Sequence, residues 1–206
     1  LPEGPQDPGN RSVDFRGEKR TNATHRSRTD PDCRFASKGS SGTGAHPGYT
    51  VNALMENRHR FLLGLGVEVF RSSASATEGG VHLLDRALRR LGYEPTTYGA
   101  DKGFFNANLI RTLLERRIAP HIATDPRPRQ PEHSNVRMRA RGLGYKLSQR
   151  ARKKIEELFG EAKDWHGLRR FRRRGLARVR QETLLIGWVL NLKRLARALE
   201  MRSATA

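Results

Sequence analysis

The sequence predicts a mixed α/β fold, with antiparallel strands first and alternating strands and helices afterwards. Three observations predict it: two neighbouring strand-like segments after residue 48, short strands that alternate with amphipathic helices, and two helical segments near the end of the chain. Residues 1–48 hold much of the Pro, Gly, Ser and Asp and show little apolar periodicity, which indicates a poorly ordered N-terminal segment. We therefore expect one structured domain over residues 49–206.

The first two strands are predicted at residues 49–57 and 61–70. In the second of them, apolar side chains occupy every other position from Phe61 to Val69, and a period of two is typical of a strand. A turn at Asn57–His59 separates the two segments. The pair is therefore predicted to be antiparallel.

Helices and strands alternate in the middle of the chain. A first helix is predicted over 77–91, ended by Gly92, and a second helix begins after the N-cap residue Asn106. Short strands are predicted on either side of the second helix, at 96–100 and 119–123. The inward-facing side chains of the two helices, spaced by three or four residues, are Val81, Leu84, Leu88 and Leu91, and then Leu109, Ile110, Leu113 and Leu114.

The last part of the chain is predicted to contain a loop and two helices. Residues 124–144 are rich in Pro and Arg and are predicted as a loop. A third helix is predicted over 148–163, with Ile155, Leu158, Phe159 and Ala162 on its buried side. A final helix is predicted over 182–200, and its apolar stripe is Leu185, Trp188, Leu192, Leu195 and Leu199.

The charge balance points to a polyanionic partner. Lys and Arg total 40 against 21 Asp and Glu, which gives a formal net charge of +19. So many positive charges on one chain repel one another, and a polyanion would neutralise them. We therefore expect nucleic acid as the partner. An anionic membrane surface is the alternative, but no amphipathic helix with a large apolar face supports it, and no apolar run approaches the ~20 residues of a membrane span. A single cysteine, Cys33, excludes an internal disulfide and a Cys-based zinc site.

Asp101 is the first candidate for chemistry. It stands at the C-terminal end of the short strand 96–100 and is followed at once by a turn containing Gly103. Ligand sites of open α/β sheets favour this position, because the strand holds the carboxylate at the edge of a crevice. The structural alternative is an ordinary Asp-Lys-Gly turn in which the Asp side chain accepts a backbone N–H.

Glu156 is the second candidate. Arg152 lies four residues before it and Lys163 seven residues after it, so that the three side chains share one face of the predicted helix. A carboxylate between two cations suits a metal ligand whose neighbours grip phosphates. The alternatives are an exposed helix with ordinary ion pairs, or Glu157 as the metal ligand on a neighbouring face.

An arginine run over 168–180 is the third feature. Its cations are interrupted by Phe171, Leu176 and Val179, and so many like charges repel one another unless an anion binds. We therefore predict contact with DNA. The arginines assigned to this contact are Arg169, Arg170, Arg172, Arg173, Arg174 and Arg178, together with the helical cations Arg152 and Lys163.

At these segments the chain resembles DDE transposases of bacterial insertion sequences. The resemblance extends over nearly the whole chain, and its most specific parts are the ADKG segment and the Arg-Glu-Lys helix signature. The matching stretches are VDFRGEKRTNATH (13–25), TDPDCRFASKG (29–39), ALMENRH (53–59), GADKGFF (99–105), SQRARKKIEELFGEAK (148–163), RRRGLARV (172–179) and NLKRLAR (191–197).

The resemblance implies an RNase H-like fold in which three carboxylates, Asp-Asp-Glu, hold two Mg²⁺ ions, with Mn²⁺ as a substitute. The second Asp corresponds to Asp101 and the Glu to Glu156, while Arg152 and Lys163 match the basic members of the signature. Gln149 stands where the family usually has a tyrosine. The implied partners are the terminal repeats of the insertion sequence and the target DNA, with a homodimer in the intact enzyme and no membrane. The implied location is the bacterial cytoplasm, at the nucleoid.

The first catalytic Asp of the family lies on a first strand upstream of the VDFRGEKR stretch, and the chain starts after it. Asp14, Asp30 and Asp32 match positions that the family does not use for metal. We therefore expect an incomplete RNase H-like fold with an open sheet edge, and a chain that does not cut DNA by itself. The alternative is a catalytically inactive, basic DNA-binding remnant. An RNA-associated structural protein would explain the charge but neither carboxylate segment.

Overall fold

The computed structural model describes residues 21–22, 24–36, 46–70, 74–125 and 130–203. Within these ranges the chain forms five strands and six α-helices, which confirms the mixed α/β prediction. The strands lie in two sheets, one of three strands in the order β1-β2-β3 and one of two strands, β4-β5. In the described part, no helix combines the length and the apolar character that crossing a membrane requires.

The three-stranded sheet is antiparallel. Strand β1 (Arg34–Ala36) pairs with the start of β2 (His46–Met55), and β2 pairs with β3 (Leu62–Val69). The predicted antiparallel pair is confirmed. Strand β1 lies within the segment that was expected to be poorly ordered, so the described part of residues 1–48 differs from that expectation. Residues 1–20 and 37–45, including Asp14, lie outside the described residues.

Helix α1 (Ala74–Leu91) packs on β2 and β3 and ends at Gly92, whose φ of 56° lies in the left-handed region that glycine adopts most easily. Leu84 is buried on its inner face, whereas Leu91, predicted to face inward, is exposed. The helix therefore matches the prediction over most of its length and departs from it at the last turn.

The two-stranded sheet is parallel and follows the predicted pattern closely. Strand β4 (Thr97–Ala100) pairs with β5 (Ala119–Ile122), and α2 (Ala107–Glu115) connects them. Asn106 caps α2 as predicted, since its Oδ1 accepts the backbone N–H of Asn108 at 2.9 Å. A core cluster forms between these elements and α1, with Leu109, Ile110, Leu113 and Ile122 fully enclosed.

The loop prediction for residues 124–144 is wrong for much of its length. Helix α3 (Pro131–Arg139) lies there, and α4 (Leu143–Arg152) begins there. Pro131 occupies the first turn of α3, where proline is well tolerated. The helix is retained because His133 and Val136 are buried, and the Phe105 ring stacks on His133 at 4.3 Å. Two buried side chains in nine residues are too few to produce a clear periodic signal.

The helix predicted over 148–163 is in fact two helices. Helix α4 ends at Arg152, and α5 (Lys154–Trp165) follows after a turn at Lys153. Of the four side chains predicted to be buried, Leu158 and Ala162 are buried and Ile155 and Phe159 are partly buried.

Helix α6 (Leu176–Ser203) is longer than predicted. The face that packs on the rest of the protein is not the face of the predicted apolar stripe. The buried residues of α6 lie on the face toward β3 and α5, and they are Val179, Thr183, Ile186, Gly187 and Leu190. The predicted stripe lies about 180° around the helix axis from this face and is exposed. The periodic pattern predicted the helix correctly, but it predicted the wrong packing face.

Candidate active site

Asp101 lies at the exposed carboxyl end of β4. The strand is anchored beneath it by buried Tyr98 and Ala100. Its Oδ1 accepts the backbone N–H of Gly103 at 2.9 Å and caps the 3-10 turn Lys102–Phe104. One carboxylate oxygen therefore has the turn-capping role that was the structural alternative, and the side chain remains exposed to solvent.

The charge of Asp101 affects the ionisation of the buried Tyr98 hydroxyl. Burial of the Tyr98 ring, and then the nearby Asp101 carboxylate, raise the pKa of Tyr98 to about 12. Lys102, next in the chain, forms an ion pair with Asp125 at 3.0 Å, which ties the turn to the segment after β5. The turn after β4 is thus fixed on both sides of the candidate carboxylate.

Helix α4 packs closely on β4. A Cβ on Gly99 would lie 3.0 Å from Ser148 Oγ, so the absence of a side chain at position 99 permits this approach. The Gln149 amide donates to the carbonyl of Ala100 at 3.2 Å and also to the carbonyl of His121. A single side chain on α4 therefore binds the ends of both parallel strands.

Gln149 is also connected to Glu156 by hydrogen bonds through Arg152. Arg152 Nε donates to Gln149 Oε1 at 3.1 Å, and Arg152 Nη1 contacts Glu156 Oε1 at 3.1 Å. The Arg152 side chain is largely buried, whereas that of Glu156 is 64% exposed. A continuous chain of hydrogen bonds thus connects Ala100, the residue before Asp101, with the carboxylate of Glu156. Sequence reasoning noted Gln149 only as a departure from the usual tyrosine and missed this role.

The other charged residues of this region have separate contacts. Glu157 pairs with Lys154 at 2.9 Å and with Arg60 at 3.4 Å, and the Lys154 contact lowers the pKa of the Glu157 carboxyl. Lys163 lies over the Phe159 ring, 5.7 Å from its centroid. The structure therefore brings Arg152 and Glu156 together, and it places Glu157 in a different set of ion pairs.

The arginine run lies on an exposed segment that leads into α6. All six arginines assigned to it are exposed: Arg169, Arg170, Arg172, Arg173, Arg174 and Arg178. The Glu182 carboxylate accepts the backbone N–H groups of Arg172 and Arg173, at 3.1 Å and 3.2 Å. Arg169 also pairs with Asp164 at 2.7 Å. The backbone is held in place while most of the guanidinium groups face solvent.

Asp30 and Asp32 bind the backbone at the point where the arginine run leads into α6. Asp30 accepts the hydroxyl of Tyr49 at 2.7 Å and the backbone N–H of Gly175 at 3.2 Å, and Asp32 accepts that of Leu176 at 2.9 Å. Burial, followed by the Asp30 hydrogen bond and charge, raises the pKa of Tyr49. These two carboxylates anchor the start of α6, a role that could not be inferred from a separation of more than 140 residues.

Across the described ranges, no three His, Cys, Asp or Glu side chains are grouped so that they could hold a metal ion. Within those ranges, Asp101 and Glu156 are not part of a group of three such side chains.

Comparison with known proteins identifies a family for the chain. The family model described as the Transposase DDE domain matches residues 14–192, a range that includes every candidate site residue. Neither the curated proteins nor the solved structures contain a match to the chain.

Proposed function

The chain belongs to the transposase DDE domain family, and from that membership we propose that it forms part of the site that cuts DNA and transfers strands at the ends of an insertion sequence. Asp101 and Glu156 are two of the three carboxylates of this site. The hydrogen-bond chain from Ala100 through Gln149 and Arg152 to Glu156 is the observation that carries the assignment. It fixes α4 against the strand that leads to Asp101, and through Arg152 it holds Glu156 in the first turn of α5.

The donor chemistry fits a divalent cation. Both side chains are exposed carboxylates, the ligand type that Mg²⁺ prefers, and Mn²⁺ accepts the same ligands. Bound metal would supply neutralisation of the phosphate charge and a lowered pKa for the attacking water or 3′-hydroxyl. Arg152 positions Glu156, and with Lys163 and the arginine run it supplies cations for the DNA backbone. Two carboxylates leave a metal pair under-neutralised, so we propose that cleavage requires a further carboxylate and that this chain does not cut DNA alone.

Metal-directed backbone cleavage tests the two ligands on this chain. Fe²⁺ with ascorbate and peroxide generates radicals where the metal is bound, so fragments ending near residues 101 and 156 are expected. Asp101→Asn retains an oxygen that can cap Gly103, and Glu156→Gln retains the shape of the side chain. Each change should remove both fragments and weaken Mn²⁺ binding by more than about tenfold.

Glu157→Gln is the matched control, because Glu157 is the neighbouring exposed carboxylate on the same helix. It should leave the fragments unchanged. Loss of the fragments in Glu157→Gln but not in Glu156→Gln would transfer the ligand role to Glu157. In an active transposase that carries this sequence, Asp101→Asn and Glu156→Gln should abolish strand cleavage while DNA binding persists. Cleavage that survived both changes would favour the inactive DNA-binding alternative.

We also propose that the chain has an RNase H-like fold and that the enzyme acts as a homodimer on the bacterial nucleoid. An antiparallel strand pair followed by a parallel pair with helices supports the fold. The exposed stripe of α6 supports the dimer. Its side chains recur at intervals of three and four, the spacing of a coiled-coil seam. At 46–72% exposure, the five of them would bury roughly 600 Å² per copy, near the lower end for specific interfaces.

A further inference from the structure

An open groove of about 530 Å³ is lined by β3, α1 and the first turns of α6. Strand β3 lies at one edge of its sheet, as the described strands form it. On that strand, the carbonyl of Val67 accepts a hydrogen bond from Arg180 Nε at 3.0 Å. The groove is distinct from the candidate active site, because neither candidate carboxylate lines it.

The walls of the groove are strongly basic. Arg86, Arg89 and Arg90 line it from α1, and Arg180 lines it from α6. All four are exposed, and within the described residues the side chains of the three α1 arginines form no ion pair or hydrogen bond. Glu68 opposes them from β3, where it is 3.3 Å from His82 Nδ1. The guanidinium groups are therefore available for a ligand and outnumber the acid.

A buried polar group also lines the groove. Asn52 on β2 is 6% exposed, and its Nδ2 has no hydrogen-bond partner within the described part of the chain. Gly79 makes room for it, since a Cβ at position 79 would overlap the Asn52 amide. A buried donor without an acceptor is costly. The Asn52 amide lies beneath the floor of the groove, where it can report on a ligand that binds above it.

We propose that this groove binds the phosphate backbone of duplex DNA, as a second contact surface beside the arginine run. Arginine suits phosphate because its planar fork donates two parallel hydrogen bonds. Arg178 of the run and Arg180 of the groove are two positions apart on α6, so they point about 200° apart around its axis. The two surfaces therefore face different sides of that helix. This inference rests on the proposed function only in taking DNA as the polyanion.

Salt-dependent binding of a 30-bp duplex tests the groove. In the triple variant Arg86→Gln, Arg89→Gln, Arg90→Gln, binding at low salt should weaken by about 10- to 100-fold, and the slope of log K against log salt should fall by up to about three. The matched control removes three exposed cations from α3, α4 and their connection: Arg139→Gln, Arg141→Gln and Lys146→Gln. It should lose much less affinity.

The Asn52 side-chain amide provides a local readout. Its NMR resonance should shift when the duplex is added. The Asn191 amide, which donates to the Leu62 carbonyl at 2.9 Å, should not shift. Equal losses of DNA affinity in the triple variant and its control, or an unchanged Asn52 resonance, would overturn the proposal that the groove binds DNA. Either outcome would leave the metal-ligand result intact. Conversely, loss of metal-directed cleavage at residues 101 and 156 would not affect the binding data.

Discussion

Gln149 shows how one side chain can organise a site that depends on distant parts of the chain. Its amide contacts the carbonyls of Ala100 and His121, which are 49 and 28 positions away, and it accepts from Arg152. The sequence identified Asp101 and Glu156 from their local surroundings, a strand end and a helix face. It could not identify Gln149, because the partners of this side chain are backbone groups that any residue carries.

Replacing Gln149 should loosen this connection. In Gln149→Leu the two strand-end carbonyls and the Arg152 guanidinium each lose a partner at a partly buried position. We expect the free energy of unfolding to fall by about 1–3 kcal/mol, measured by urea denaturation, with weaker Mn²⁺ binding. Gln181→Leu, at an exposed position of α6, is the control and should change stability by less than about 0.5 kcal/mol. Equal stability of the two variants would contradict the role given to Gln149.

At the level of the elements, local patterns located most helices and strands but not the way they pack. The period of two in β3 and the cap at Asn106 are local signals, and both were confirmed. Helix α6 has apolar side chains on two opposite faces, and only tertiary contacts decide that Ile186 and Leu190 pack inward while Trp188 stays exposed. Helix α3 was missed because its few buried residues lie in a basic, proline-containing segment.

Substitutions at two helical glycines distinguish the effect of tertiary packing from that of helix propensity. A Cβ on Gly80 in α1 would lie 2.8 Å from Phe104 Cε1 and 3.0 Å from the Tyr98 hydroxyl, whereas a Cβ on Gly160 in α5 would meet nothing within 4 Å. Gly80→Ala should therefore destabilise the protein by about 1–3 kcal/mol through overpacking. Gly160→Ala should stabilise it by about 0.5–1 kcal/mol, because alanine restricts the unfolded chain. Urea denaturation measures both, and stabilisation by both would show that α1 does not pack tightly on the turn after Asp101.

For the whole molecule, the net charge of +19 affects DNA binding and self-association in opposite ways. DNA binding releases counterions and weakens as salt rises. Two copies of a basic chain repel each other, and salt screens that repulsion. The side chains of the α6 stripe are uncharged, so the contact between copies proposed here does not depend on ion pairs that salt would weaken.

Trp188→Glu tests the stripe and this salt dependence together. Trp188 is the central aromatic side chain of the stripe and is 72% exposed, so the change should leave the fold intact. In sedimentation experiments the wild-type chain should self-associate more strongly as NaCl rises from 0.1 to 0.5 M, which shortens the Debye length from about 10 Å to about 4 Å. Trp188→Glu should stay monomeric, because a carboxylate would be buried at the centre of the contact. Trp165→Glu, at an 81% exposed tryptophan of α5, is the matched control and should associate like the wild type. A wild-type chain that is monomeric at every salt concentration, or equal loss of association in both variants, would rule out the stripe as the contact between copies.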